Sequence, residues 1–225
     1  MNLADLDLFK EVLTGGAHDE SAWQALDAGP TLASSSRLKH RLARCVARWV
    51  RRRFGLVLMR PLPFNRAARD AGLDWPLTGY SMAGRTRLDH LQRCVETVLA
   101  ERVPGDFIET GVWRGGACML MKAVLEARGG CDRTVWLADS FAGLPPPGYE
   151  GDGWDLSDCA HLAVSEAQVR KNFARFGLLD ERVRFCPAGS TRCCRAPRSP
   201  GSRSSGLTAT CTARPSARWT TSTTA

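Results

Sequence analysis

Between Gly105 and Gly116 the chain reads G-D-F-I-E-T-G-V-W-R-G-G: a short apolar run, an acid, a glycine, then a glycine pair. It continues as A-C-M-L-M-K-A-V-L (Ala117–Leu125), apolar enough for a buried helix. A strand, a tight turn and a helix in that order read as the opening of a Rossmann-like βα unit. Glycines in such a turn let the backbone approach a nucleotide-like ligand. The same pattern also serves as a plain βα turn, so this stretch alone does not name a ligand.

The following segments extend the pattern. Thr134–Asp139 (T-V-W-L-A-D) predicts a second buried strand ending in an acid, and the helix between the two strands has the length a βαβ crossover needs. Ser140–Pro147 and the acidic 148–158 segment form a long loop at the place where α/β proteins put ligands and lids. Ser165–Phe176 predicts a helix with Val169, Phe173 and Phe176 on one face and Ser165 as N-cap; Gly177 ends it, and Glu181–Phe185 begins a third strand.

Upstream, Leu3, Leu6, Leu8, Phe9, Val12 and Leu13 recur at helical spacing before Thr14-Gly15-Gly16, and 17–36 reads as a loop. Arg37–Arg60 holds nine Lys or Arg residues and no acid, with Leu38, Leu42, Val46 and Trp49 on one helical face. A binding module for nucleic acid or a membrane surface fits such a helix. The preferred reading is a solvated helix that packs its apolar stripe inward. Pro61 and Pro63 end the segment, 64–76 is loop-like, and Leu88, Leu91, Val95, Val98 and Leu99 mark a strong amphipathic helix that stops at Pro104-Gly105.

With 44% hydrophobic and 24% charged residues, the composition is that of a globular protein. No apolar run approaches the roughly 20 residues of a membrane span, and acids at 5, 7 and 11 do not suit a signal peptide. A cytoplasmic chain with its cysteines as thiols is expected; no pair has C-x-x-C spacing. Six arginines and no acid follow Cys186, so the tail supplies most of the net charge of +8. Whole-chain basicity is therefore a poor argument for nucleic acid, and neither nucleic acid nor a membrane is expected as partner.

The ligand of the glycine turn can be narrowed. In a dinucleotide fingerprint, G-x-G-x-x-G, the second glycine lies where the pyrophosphate approaches. Gly111 and Gly116 fit the first and third places, but Trp113 holds the second, which disfavours a nicotinamide-dependent enzyme. Asp139 suits two ribose hydroxyls, and Glu109 suits an ammonium or sulfonium group. S-adenosylmethionine carries both features and no phosphate.

The motifs E-T-G-V-W-R-G-G-A (Glu109–Ala117), A-D-S-F-x-G (Ala138–Gly143), N-F-A-R-F-G-L-L-D (Asn172–Asp180) and D-W-P…S-M-A-G-R-T-R-L-D-H-L-Q-R-C-V-E (Asp74–Glu96) resemble the macrocin O-methyltransferase family. The match covers roughly 64–185, with a weaker echo at Leu3–Thr14. It implies a Rossmann-like class I methyltransferase fold with an N-terminal helical extension, S-adenosylmethionine and Mg2+ as cofactors, a sugar hydroxyl of a glycosylated antibiotic as substrate, and a possible homo-oligomer. By the same resemblance Glu109, Thr110, Gly111, Val112 and Trp113 line the methionine end of the cofactor. Asp139, Ser140, Phe141, Ala142 and Gly143 hold ribose and adenine, and Ser81 and Met82 touch the cofactor from the preceding segment. The family's metal ligands and catalytic base, an Asp-Gly-Asp-Leu-Tyr strand end and a later Asp-Asp pair, have no counterpart here.

After Phe185 hydrophobic periodicity stops and Arg, Ser, Thr, Pro, Ala and Cys take over. Reading Leu207–Thr212 as codons and starting each new codon at the third base of the old one fixes the last two bases as AC, GC, AC, TG and AC. With G or C at most free positions these spell D-G-D-L-Y, the missing acidic motif. The expectation is an out-of-frame, disordered tail over 186–225, an N-terminal extension over 1–63, and over 64–185 a methyltransferase domain cut off in its third strand. Such a chain keeps part of a cofactor site and no magnesium site, and is expected to be inactive as written.

Overall fold

The computed structural model describes residues 3–26, 38–145, 157 and 160–187. The predicted tail from residue 188 onward and most of the long loop, including 146–156, therefore lie outside the described residues. The fold centres on a parallel sheet ordered β3 (Phe107–Thr110), β4 (Val135–Asp139), β5 (Val183–Pro187). Helix α5 (Gly116–Arg128) joins β3 to β4, and α6 (Glu166–Arg175) precedes β5. Phe107 pairs with Val135 and Val135 with Val183, and the register continues to Asp139 opposite Pro187. The third strand thus runs two residues past Phe185, where the sequence suggested it is cut short. The three parallel strands and their helices give the Rossmann-like arrangement expected from the glycine turn.

Alternation along the strands sets the layers. Phe107, Glu109, Val135, Leu137 and Val183 are buried, with α5 against β3 and β4 on that side. The alternate positions Ile108, Thr110, Trp136 and Ala138 are half-buried and Arg184 is exposed. Parallel sheets are ordinarily covered on both faces. Among the described residues no strand pairs with the outer edge of β3.

Every residue of α5 from Gly116 to Leu125 is buried, which makes it the central helix of the core. Leu6 and Leu13 of α1 (Leu3–Thr14) and Leu88, Leu91 and Val95 of α4 (Gly84–Ala100) share that core. Lys122, buried within α5, is answered by Asp180 at 2.6 Å and Glu126 at 3.3 Å. Packing therefore crosses residue 63, the expected edge of the extension. A buried arginine fixes this junction. Arg69 of α3 (Arg66–Ala71) is 1% exposed, pairs with Asp74 at 2.8 Å, and donates to the carbonyls of Thr14 and Glu20.

Three expectations need correction. The stretch read as a loop contains β1 (Ala22–Ala25), antiparallel to β2 (Met59–Leu62). Pro61 is therefore inside a strand; a two-stranded sheet is all edge, and an edge tolerates proline. Helix α2 (Leu38–Phe54) forms, but Leu42, Val46 and Trp49 are exposed, so its stripe does not pack inward. Cys45, Cys94, Cys118 and Cys131 are free thiols, whereas Cys186 is disulfide-bonded.

Candidate functional site

The glycine turn lies between the C-terminal ends of β3 and β4. Gly111 leaves β3 with φ +84° and donates to the carbonyl of Ala138. A Cβ built on Gly111 meets nothing within 4 Å, so the backbone there is open to an approaching group. Gly116 serves a different purpose. A Cβ on it would come to 2.5 Å from the carbonyl oxygen of Tyr80, which accepts the Gly116 N–H. That contact brings the 80–82 segment to the start of α5, where Ser81 is buried and Met82 half-buried.

Asp139 joins the two turns. Its Oδ2 accepts from the N–H groups of Val112 at 2.6 Å and Trp113 at 3.3 Å, and its Oδ1 from the N–H of Phe141 at 2.9 Å. The Ser140 hydroxyl lies 3.4 Å from the same Oδ1 and donates to the Gly143 carbonyl at 2.7 Å. A carboxylate has about four acceptor positions. Three of those of Asp139 are taken by these amides, so the carboxylate holds the two turns together. The electrostatic consequence bears on the ligand. In a dinucleotide site such amides are free to receive a pyrophosphate; here a carboxylate already occupies them, and a phosphate would meet its charge.

Glu109 is 4% exposed, on the helix-facing side of β3, and its carboxylate accepts from the Cys118 thiol at 2.8 Å. Burial pushes its pKa up to about 8; hydrogen bonds from Cys118 oppose the rise, and the charge of Asp139 adds to it. The carboxyl is therefore mostly protonated at neutral pH, and a cation beside it would restore its charge. Thr110 is half-buried on the opposite face of the strand.

Trp113 adopts φ +50°, stacks its ring under the Arg114 guanidinium at 4.2 Å, and donates its Nε1–H to the carbonyl of His161. The indole thus ties the turn to the end of the long loop. Phe141 (φ +54°) sets its ring 6.0 Å from that of Phe185; Ala142 is exposed, and Gly143 lies beside Ala163.

Several contributors were not singled out from the sequence. Arg114 donates to the carbonyls of Leu77 and Gly79, and Asn172 of α6 donates to the carbonyl of Arg114 at 2.9 Å. With Thr78, Tyr80, His161 and Gln168 they line an open cavity of about 500 Å³ beside the turn. Burial, reinforced by the charges of Arg114 and Arg51, holds the His161 imidazolium below its ordinary pKa. The N-F-A-R-F-G-L-L-D motif carried a signal for Asn172; His161, in a short 3-10 turn (Ala160–Leu162) with no motif around it, carried none. Among the described residues no group of three or more His, Cys, Asp or Glu side chains is placed to hold a metal ion.

The Macrocin-O-methyltransferase (TylF) family model matches residues 3–190. Demethyldecarbamoylnovobiocin O-methyltransferase of Streptomyces niveus is 49% identical over 129 residues, 55% of this chain and 49% of that protein. The 8-demethyl-8-(2,3-dimethoxy-alpha-L-rhamnosyl)-tetracenomycin-C 4'-O-methyltransferase of Streptomyces olivaceus is 54% identical over 121 residues, 52% and 46% of the two chains. Mycinamicin III 3''-O-methyltransferase of Micromonospora griseorubida is 46% identical over 131 residues, 55% and 52% of the two. The solved structure of the O-methyltransferase NovP superposes with a TM-score of 0.61 at 38% identity, covering 82% of this chain and 63% of that one. The chain spans about half the length of the curated relatives it matches. With a model match from residue 3 to residue 190, the chain belongs to the macrocin-O-methyltransferase family.

Proposed function

We propose that this chain carries the cofactor half of an S-adenosylmethionine-dependent O-methyltransferase whose substrate is a sugar hydroxyl of a glycosylated secondary metabolite. The observation that carries the choice of cofactor is the Asp139 carboxylate on the Val112 and Trp113 amides. It leaves no vacant phosphate cradle and so favours a sulfonium nucleoside over a nicotinamide dinucleotide. Gly111 offers open backbone for the methionine end, Glu109 offers the acid that a cation would ionise, and Ser81 and Met82 border the same turn. Asp139 through Gly143 hold the ribose and adenine side, with the Asp139 carboxylate also fixing both turns. When bound, the cofactor supplies an activated methyl group on a positively charged sulfur. The substrate class follows the relatives, whose names specify novobiocin, tetracenomycin and mycinamicin compounds.

The described residues do not fit a magnesium site, and no step is assigned to one. We further propose that 186–225 is read out of frame, that the lost frame holds the acidic motif, and that the chain as written transfers no methyl group. The family match, which ends at residue 190, supports a break near this point. Restoring the frame and titrating with S-adenosylmethionine and NAD tests the reading. Binding of the first alone supports it, and tighter binding of NAD overturns it.

A further inference from the structure

Helix α2 is turned the wrong way for a core helix. At about 100° per residue, Leu42, Val46 and Trp49 share one face, and Arg44, Ala47 and Arg51 lie opposite. The second face is the one that meets the protein: Ala47 is 1% exposed and Arg44 and Arg51 are half-buried. Leu42, Val46 and Trp49 are 65%, 47% and 58% exposed. Phe54, its ring edge-on to Trp49 at 5.5 Å, and Leu56 extend this apolar surface past the helix end. Exposed Arg48, Arg52 and Arg53 accompany the stripe, within a segment that holds nine basic residues and no acid.

We propose that this face docks on an anionic lipid bilayer, with Leu42, Val46 and Trp49 below the headgroups and the arginines among them. A helix with Leu, Val and Trp on its exposed side and arginines on and beside that side has the composition that lies in a membrane interface. A row of apolar side chains left in water marks a contact surface, and the charge selects the partner. A second copy of the chain is disfavoured because a two-fold pairing of stripes brings the basic residues of one segment against those of the other, with no acid in the segment to answer them. A nucleic acid would satisfy the arginines and leave Leu42, Val46 and Trp49 in water. A bilayer with anionic headgroups satisfies both sets. The preferred sequence reading had this stripe packing inward, whereas Leu42, Val46 and Trp49 are exposed.

The test is co-sedimentation of the full chain with phosphatidylcholine vesicles, with and without roughly one-third phosphatidylglycerol, at about 0.05 and 0.5 M salt. Partitioning should be at least about tenfold stronger on anionic vesicles at low salt and fall at high salt. The variant Leu42→Ser/Val46→Ser/Trp49→Ser should lose at least about tenfold with unchanged circular dichroism, because these side chains are exposed. Arg48→Gln/Arg52→Gln/Arg53→Gln should erase the preference for anionic lipid. Absent partitioning, equal partitioning on neutral vesicles, or partitioning that survives the serine variant each overturns the proposal. So does a lipid-free dimer in analytical ultracentrifugation that the serine variant abolishes, since the face would then belong to a second copy, and so does loss of partitioning in the frame-restored protein, since the restored half would then cover it.

Discussion

Glu109 gives the candidate site a measurable pH signature. Its carboxyl is buried, with a pKa pushed up to about 8 from 4.5. At pH 7 roughly one molecule in ten carries the charge, and ionising the rest costs about 1.4 kcal/mol, the value of one pKa unit. A ligand whose cation requires the ionised carboxylate bears that cost. Its affinity should therefore rise about tenfold per pH unit between roughly pH 6 and 8 and level off above the pKa. Calorimetry of S-adenosylmethionine binding to the frame-restored protein, in buffers of different ionisation enthalpy, reads the slope and the close to one proton released at pH 7. S-adenosylhomocysteine, which lacks the sulfonium charge, separates attraction at sulfur from attraction at the amino group. Glu109→Gln should abolish both slope and proton release. A slope that persists in that variant, or a parent protein with flat affinity, would refute the assignment. The sign for stability is opposite. The unfolded carboxyl ionises above 4.5 while the folded one keeps its proton to about 8, so this residue's contribution declines as pH rises across that window and is constant outside it.

Asp139→Ala removes the acceptor for three backbone N–H groups and should weaken S-adenosylmethionine binding by about 1–3 kcal/mol, seen by calorimetry alongside a lowered melting temperature. Gly111→Ala and Gly116→Ala should differ in kind. The first meets open space, carries only the roughly 1–2 kcal/mol of left-handed strain, and acts on cofactor affinity; the second clashes with the Tyr80 carbonyl and acts mainly on stability in denaturant titration. Arg69→Met strands Asp74 and two carbonyls in a buried junction and should cost about 3–5 kcal/mol of unfolding free energy. Resequencing the DNA across codons 185 and 186 should reveal one or two bases gained or lost; an intact native frame would remove the account of the tail.

The parts legible in the sequence were those whose signal is local. The run from Phe107 to Leu125 announces strand, turn and helix because burial and glycine placement coincide within a few residues. The β1–β2 pair was not legible: A-W-Q-A has little strand character, its partner contains Pro61, and the pairing joins segments far apart in the chain. Periodicity found the stripe of α2 but cannot say which side meets the protein, and here the small Ala47 does so instead of Trp49. An acid after β4 was recognisable as a site residue, yet its partners are the amides of Val112, Trp113 and Phe141, and amide direction leaves no trace in residue type. Arg114, Asn172 and His161 come together only through tertiary packing, with Val169 and Phe173 closing on Gly115.

The central claim is that the turn from Glu109 to Gly116 receives a sulfonium nucleoside and rejects a dinucleotide. Parallel calorimetric titrations of the frame-restored protein with S-adenosylmethionine and with NAD test it most directly. The account predicts saturable binding of S-adenosylmethionine that Asp139→Ala weakens, and no measurable heat from NAD. Saturable NAD binding, or S-adenosylmethionine affinity unchanged in Asp139→Ala, would contradict it.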